Sequence, residues 1–341
     1  MNILIEAIAY SFPHKVVSNA DLQRQNPNGD YDRLGSRTGV KSRYIAGSGE
    51  TALDLALSAC KKLQKEGYDL SSTVNAIIFC TETPDHPIPP NSNILHGLLN
   101  LPNNVIAFDI TAGCSGYVYG LEISRGLIAS GAASQVLLAT GDTYSKLIHP
   151  CDQSANCLFG DGAAVSLISA AEPNEGIFDL SLGSSGKEYE RFIIPAGGTR
   201  MPRSTETQKL IQDKSGNIRS KEHILMDGFG VLSFFNDLVP KEVESTLRRN
   251  KLVVADVDYF IFHQASGIAL DTLQRVLKIP DYKMARYLED TGNLVSASLP
   301  VAIKKSIDEC NIKPGNLVML CGFGLGLSWG TALMRMPEVT D

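Results

Sequence analysis

The 341-residue sequence predicts an α/β fold made of two similar halves. Three observations carry that expectation. Short apolar runs alternate with amphipathic helical patterns, Gly and Pro punctuate without forming a low-complexity tract, and one order of elements occurs twice. In the first half, NAIIFCTETPD reads as a buried strand ending in a polar loop. VIAFDITAGCSGYVYGLEISRGLIASG follows as strand, tight Gly-flanked turn and helix. SQVLLATGD is a further strand, and CLFGDGAAVSLIS is a Gly-rich turn into another. The second half repeats the order: VDYFIFHQASG, GNLVSASLPVAIKKSIDEC, NLVMLCGFG and GLGLSWGTALMRM. Cys80 and Cys114 are 34 residues apart, and His263 and Asn293 are 30 apart, so the spacings match. The expected halves are residues 1–170 and 171–341. The polar stretch from Gly197 to Lys221 reads as a surface excursion.

Composition bounds the function. With 43% hydrophobic and 20% charged residues the chain can bury a substantial core. A net charge of −6 offers no broad nucleic-acid footprint. No apolar run approaches the ~18 residues needed to span a bilayer, and Glu6 interrupts the apolar N-terminal stretch, so neither a membrane partner nor a signal peptide is expected. The seven cysteines are odd in number, scattered and without a CxxC pair. That excludes a disulfide framework or zinc knuckle and points to a reduced, cytoplasmic compartment with no metal site.

One of these thiols stands apart. Cys114, in AGCSGYVYGLE, lies between small residues just before an amphipathic pattern. A thiol at a helix N-terminus is expected to have a lowered pKa. Cys60, Cys80, Cys157, Cys310 and Cys321, in apolar or helical patterns, read as structural. His263 ends the strand VDYFIFHQ, where a satisfied core histidine is the ordinary alternative to a pocket group. Asn293 follows Gly292, where a turn or cap asparagine is ordinary. Polar groups at strand ends are where open α/β sheets build sites. At matching places in two repeated units, the three form a Cys–His–Asn set without an acidic partner.

Taken in order, SRTGVKSRYIA, DITAGCSGYVYGLE, CLFGDGAAV, MDGFGVLSFF, FIFHQAS, TGNLVSASLP and GFGLGLSWGTALMR resemble the 3-oxoacyl-[acyl-carrier-protein] synthase III family of the thiolase superfamily. The resemblance implies a thiolase fold, its halves packed as a layered α-β-α-β-α body. It also implies an acyltransferase of fatty-acid or lipid metabolism that acts as a homodimer with an acyl carrier protein. Coenzyme A or phosphopantetheine thioesters would be substrates, and no cofactor would be bound permanently. Cys114 would accept the acyl group, while His263 and Asn293 would hold the thioester carbonyl of a malonyl-carrier protein as it decarboxylates. Two neutral donors suit a developing enolate, which a nearby carboxylate would oppose. Backbone N–H groups at Cys114 and Gly324 would form a second oxyanion site, each such donor contributing roughly 3 kcal/mol.

Several positions depart from the family. Arg33 stands where a Trp usually stacks on the adenine of coenzyme A, and Asp152-Gln153 replaces an Asp-Arg pair. Arg33, Gln153, Arg37, Arg43, Gln264 and Phe229 are therefore the candidate substrate or carrier contacts. Ile88 takes the place of an aromatic that closes the acyl pocket from the partner subunit. Ser266 and Leu294-Val295 also differ, suggesting a specialised synthase. Glu82 replaces a hydroxyl residue. It is expected to be a loop glutamate facing solvent, the alternative being an acid/base in a condensation like that of hydroxymethylglutaryl-CoA synthases. A non-decarboxylating transfer to an alcohol or amine is the other alternative.

Overall fold

The computed structural model describes residues 1–338. Nine strands share one hydrogen-bonded sheet. β1 (Ile3–Ser11), β2 (Ala76–Cys80), β3 (Ile106–Ile110), β4 (Gln135–Asp142) and β5 (Gly162–Ala170) come from the first half. β6 (Gly176–Ser184), β7 (Tyr259–Phe262), β8 (Leu317–Gly324) and β9 (Ser328–Arg335) come from the second. Their spatial order is β7-β8-β9-β6-β1-β5-β4-β2-β3.

The internal repeat is visible strand by strand. β1 pairs antiparallel with β5, β5 antiparallel with β4, and β4 parallel with β2. In the second half β6 pairs antiparallel with β9, β9 antiparallel with β8, and β8 parallel with β7. The counterpart of β3 is reduced to a single parallel bridge between Phe260 and Met284. One residue pair, Ile3 with Ile177, joins the half-sheets.

Helices complete five layers. Outside the first half-sheet lie α2 (Ala52–Lys65) and α3 (Asn91–Leu98). Leu53, Ala56, Leu63 and Leu95 on them pack against Ile77, Phe79, Leu137 and Val165 of the strands. Outside the second lie α5 (Gly228–Arg249) and α6 (Gly267–Leu277), on Phe260, Phe262, Met319 and Leu333. The central layer is α4 (Gly116–Ala129) and α7 (Ser298–Asp308). Tyr117, Leu121, Leu299 and Ile303 share one core with Ile78 and Leu138 of the first half and Ile261 and Leu320 of the second. Strands covered on both faces are continuous apolar runs, as in AIIFC and YFIF, each fully buried. The result is the α-β-α-β-α arrangement of a thiolase fold. Among the described residues no helix is long and apolar enough to cross a membrane.

This layering sets the site. β2 ends at Cys80 before Thr81-Glu82, β4 ends at Asp142, β7 ends just before His263, and β8 ends at Gly324. The short helix α1 (Tyr31–Thr38) carries Arg33 and Arg37 at the surface. Arg43 departs from its expected role as a surface contact. It is fully buried, and its guanidinium donates to the carbonyls of Val17 and Cys157 and to Asn19 Oδ1. It holds the N-terminal segment to the chain before the FGDG turn.

Candidate active site

Cys114 is placed by a 3-10 turn, Gly113–Ser115, that runs directly into α4. Ser115 Oγ donates to the carbonyl of Ala112 and bonds Ser328 Oγ at 2.7 Å, fastening the turn to β9 of the other half. The end of β8 presses on the thiol. A Cβ on Gly324 would lie 3.0 Å from Cys114 Sγ and 2.5 Å from its Cβ, so only glycine permits this approach.

His263 follows β7 and anchors its own N–H on the carbonyl of Cys321 at 2.7 Å. Its ring stands edge-on to Phe323 with centroids 5.6 Å apart. Nδ1 is buried without a hydrogen-bond partner, and the residue lines the cavity. Burial pushes the imidazole pKa down to about 3, so the ring is neutral across the working pH range. Asn293 follows Gly292, whose φ of +69° is open to glycine at little cost. Asn293 Oδ1 accepts from the Val295 N–H at 2.8 Å, and Nδ2 donates to the Ala265 carbonyl at 3.3 Å. One amide N–H remains for a ligand.

Cys114, His263, Asn293 and Gly324 line one cavity of about 450 Å³, walled by Leu158, Phe159, Phe192, Ile224, Met226 and Phe323. The apolar wall has no signature in the sequence, since its residues read as ordinary core. The thiol therefore comes from the first half and the imidazole and amide from the second.

Two expectations are corrected here. Glu82 is half-buried and tied to its neighbours rather than freely solvated. Its N–H donates to Asp142 Oδ1 at 2.7 Å, and its Oε2 accepts from the hydroxyl of Tyr144, a residue in the same cluster of buried side chains as Cys114. Asp142 is held further by the hydroxyls of Ser296, at 2.8 Å, and Thr81. Burial raises the pKa of both carboxyls, and their mutual repulsion raises that of Glu82 further. The Cys114 set thus has acidic neighbours. Nor is the thiol pKa lowered by the helix that follows it. Burial, and after it Glu82 and Asp142, push it well above the ordinary thiol value. Desolvation outweighs a dipole that acts over one helical turn.

The sequence matches two family descriptions. Residues 108–186 match "3-Oxoacyl-[acyl-carrier-protein (ACP)] synthase III" and residues 247–336 match its C-terminal part. The chain is 33% identical over 338 residues to the beta-ketoacyl-[acyl-carrier-protein] synthase III 3 of Streptomyces coelicolor, covering 98% of each. It is 33% identical over 323 residues to the corresponding synthase of Rickettsia bellii, covering 95% of this chain and 96% of that one. The chain belongs to the 3-oxoacyl-[acyl-carrier-protein] synthase III family. A crystal structure of a 3-oxoacyl-(acyl-carrier-protein) synthase III superimposes with a TM-score of 0.95 at 36% identity, covering 98% of this chain and all of that one. The synthase from Burkholderia xenovorans gives 0.90 at 29%, covering 99% and 95%. This chain is accordingly a condensing enzyme of the acyltransferase class.

The rim of the synthase cavity sorts the remaining candidates. Arg37 lines the mouth, as does Phe229 at the start of α5, whose side chain is 84% exposed. Arg33 is exposed beside the mouth without lining it. Gln153 is consumed internally. Its Oε1 accepts from the Asp30 N–H and its Nε2 donates to the Ser215 carbonyl, tying the start of α1 to the Asp213–Asn217 turn. Beside it Arg219 bridges Asp152, at 2.9 Å, and Asp213. Gln264 likewise spends its amide on the backbone of Phe262, Ala285 and Tyr287. Ser266 caps α6 by accepting from the Ala269 N–H. Ile88 stands 84% exposed on the loop after β2, away from the cavity of its own chain.

Proposed function

We propose that the chain forms a carbon–carbon bond by decarboxylative Claisen condensation. Cys114 takes an acyl group from a thioester of coenzyme A or of carrier-bound phosphopantetheine, releasing the donor thiol. A malonyl-carrier protein then seats its thioester carbonyl on His263 Nε2–H and the free N–H of Asn293. Loss of carbon dioxide leaves an enolate whose oxygen these neutral donors stabilise. The enolate carbon attacks the acyl carbonyl, the oxyanion draws on the backbone N–H groups of Cys114 and Gly324, and the Cys114 thiolate departs. The observation that carries this reading is the convergence of Cys114, His263 and Asn293, from two halves of the chain, on one cavity.

Four further assignments belong to the same reading. Residues 1–170 and 171–341 act as two thiolase-like halves around one interface. The working enzyme is a cytoplasmic homodimer, in which exposed Ile88 reaches the acyl pocket of its partner. Arg33, Arg37 and Phe229 meet the carrier or its phosphopantetheine arm at the mouth. The departures at Arg33, Gln153 and Glu82 make this a specialised synthase.

Intact-protein mass spectrometry after incubation with acyl-thioesters tests the chemistry. The wild type gains one acyl mass, and Cys114→Ala gains none. His263→Ala still loads the acyl group but condenses about 10²–10³-fold more slowly, the loss expected for one oxyanion donor. Acylation of Cys114→Ala, or unchanged condensation by His263→Ala, overturns the assignment.

A further inference from the structure

Two polar groups beside Cys114 have no part in the chemistry above. Glu82 is fixed by its N–H on Asp142 and by the Tyr144 hydroxyl donating to Oε2. Its other oxygen, Oε1, has no hydrogen-bond partner among the described residues. It points at the turn that carries the nucleophile, 3.2 Å from where a Cβ on Gly113 would stand. Tyr144, Ile148, Phe159 and Leu325 share one cluster of buried apolar side chains with Cys114. Neither Glu82 nor Tyr144 lines the cavity through which substrate reaches the thiol. They pack on the residues that carry Cys114, outside that cavity, so an acyl chain directed from the thiol away from the cavity would extend toward them.

The hydrogen bonds fix which end of the carboxyl can donate. Burial and Asp142 keep the carboxyl protonated at neutral pH. With Tyr144 donating into Oε2, the proton belongs on Oε1. A half-buried O–H donor without a protein partner then stands beside the turn that carries Cys114. A purely hydrocarbon chain would leave that donor unpaired, whereas an oxygen on the chain would satisfy it.

We propose that Glu82, oriented by Tyr144, is a specificity residue that selects a short hydroxylated acyl group on Cys114. The buried Tyr144 ring sets the shortness and the free Glu82 oxygen reads the hydroxyl. This rests on Cys114 being the acylated residue.

The test measures rates of Cys114 acylation by butyryl, 2-hydroxybutyryl, 3-hydroxybutyryl and octanoyl thioesters of phosphopantetheine. In the wild type one of the hydroxybutyryl donors loads about tenfold faster than butyryl, the discrimination one hydrogen bond supplies, and octanoyl is slowest. Glu82→Leu brings the hydroxybutyryl-to-butyryl ratio to about one, and Tyr144→Phe lowers it by freeing the carboxyl to turn. Glu82→Gln, whose amide N–H replaces the O–H donor, keeps the preference. The proposal is overturned if the wild type loads butyryl as fast as both hydroxybutyryl donors, or if the ratio survives in Glu82→Leu. Should Glu82→Leu fail to fold, an unchanged ratio in Tyr144→Phe overturns it equally. If no donor acylates Cys114, the assignment of the nucleophile itself falls, a result distinguishable from loading without preference.

Discussion

At the scale of single residues, the thiol of Cys114 sits next to two carboxyl groups, an arrangement hostile to a thiolate and, if those carboxyls were ionised, to an enolate as well. Burial eases the conflict by raising the pKa of both carboxyls, and Asp142 raises that of Glu82 further, so Glu82 holds its proton the more firmly and the pair carries less charge than two carboxylates. His263 is neutral for the same reason. The consequence for stability has a definite sign. The folded-state pKa of Glu82 lies above its unfolded value of 4.5, so the native state binds this proton more tightly than the unfolded chain. The stability gained is complete below the unfolded pKa and is lost as pH rises through the raised folded value. Glu82→Gln, which cannot ionise, therefore matches the wild type near pH 5 and gains on it as pH rises to about 9. Thermal melts of the two proteins across that range check this. A difference in melting temperature that stays constant with pH would show that Glu82 ionises freely in the folded protein.

The same device recurs at the scale of elements. The 3-10 turn Gly113–Ser115 launches α4, and the 3-10 turn Val295–Ala297 launches α7. In both, a residue is held in the left-handed region, Gly113 at φ +45° and Val295 at +53°. A β-branched residue there is strained by about 1–3 kcal/mol, and the Asn293 Oδ1 bond to the Val295 N–H helps to hold it. Gly292 shows how tightly the second turn is packed. A Cβ there would lie 2.9 Å from the Leu158 carbonyl oxygen, at a φ of +69°. Gly292→Ala should cost about 1–3 kcal/mol of stability and shift Asn293. Condensation then falls by more than Cys114 acylation does, which paired single-turnover assays would resolve. Equal loss in both steps would mean that the turn supports the whole fold rather than the amide. The convergence of Cys114, His263 and Asn293 on one cavity was legible in the sequence, because each lies in a local pattern that occurs twice. The setting of Glu82 was not, because the groups that hold it, Asp142 and Tyr144, lie about 60 residues away along the chain. Gln153, Gln264 and Arg43 misled for the same reason. A polar residue next to a motif looks available until the backbone groups it serves, far off in sequence, are in view.

At the scale of the whole molecule, the two halves have separate outer layers but one central layer. Leu299 and Ile303 of α7, and Tyr117 and Leu121 of α4, share one buried core with strands of both half-sheets. Chains of this length commonly unfold domain by domain. Here neither half can open without exposing the shared core, so the two should unfold together. The protein carries its own probes. Trp329, the sole tryptophan, lies in β9 of the second half, and Cys60 is fully buried in α2 of the first. In a denaturant titration, Trp329 fluorescence and peptide-resolved alkylation of Cys60 should share one midpoint. Leu299→Ala, which opens a cavity in the shared layer, should lower both midpoints together, by about 2–5 kcal/mol of stability. If Cys60 became reactive well before Trp329 fluorescence changed, the halves would be independent domains. The site would then depend on docking between them, because the Cys114 thiol belongs to one half while His263 and Asn293 belong to the other.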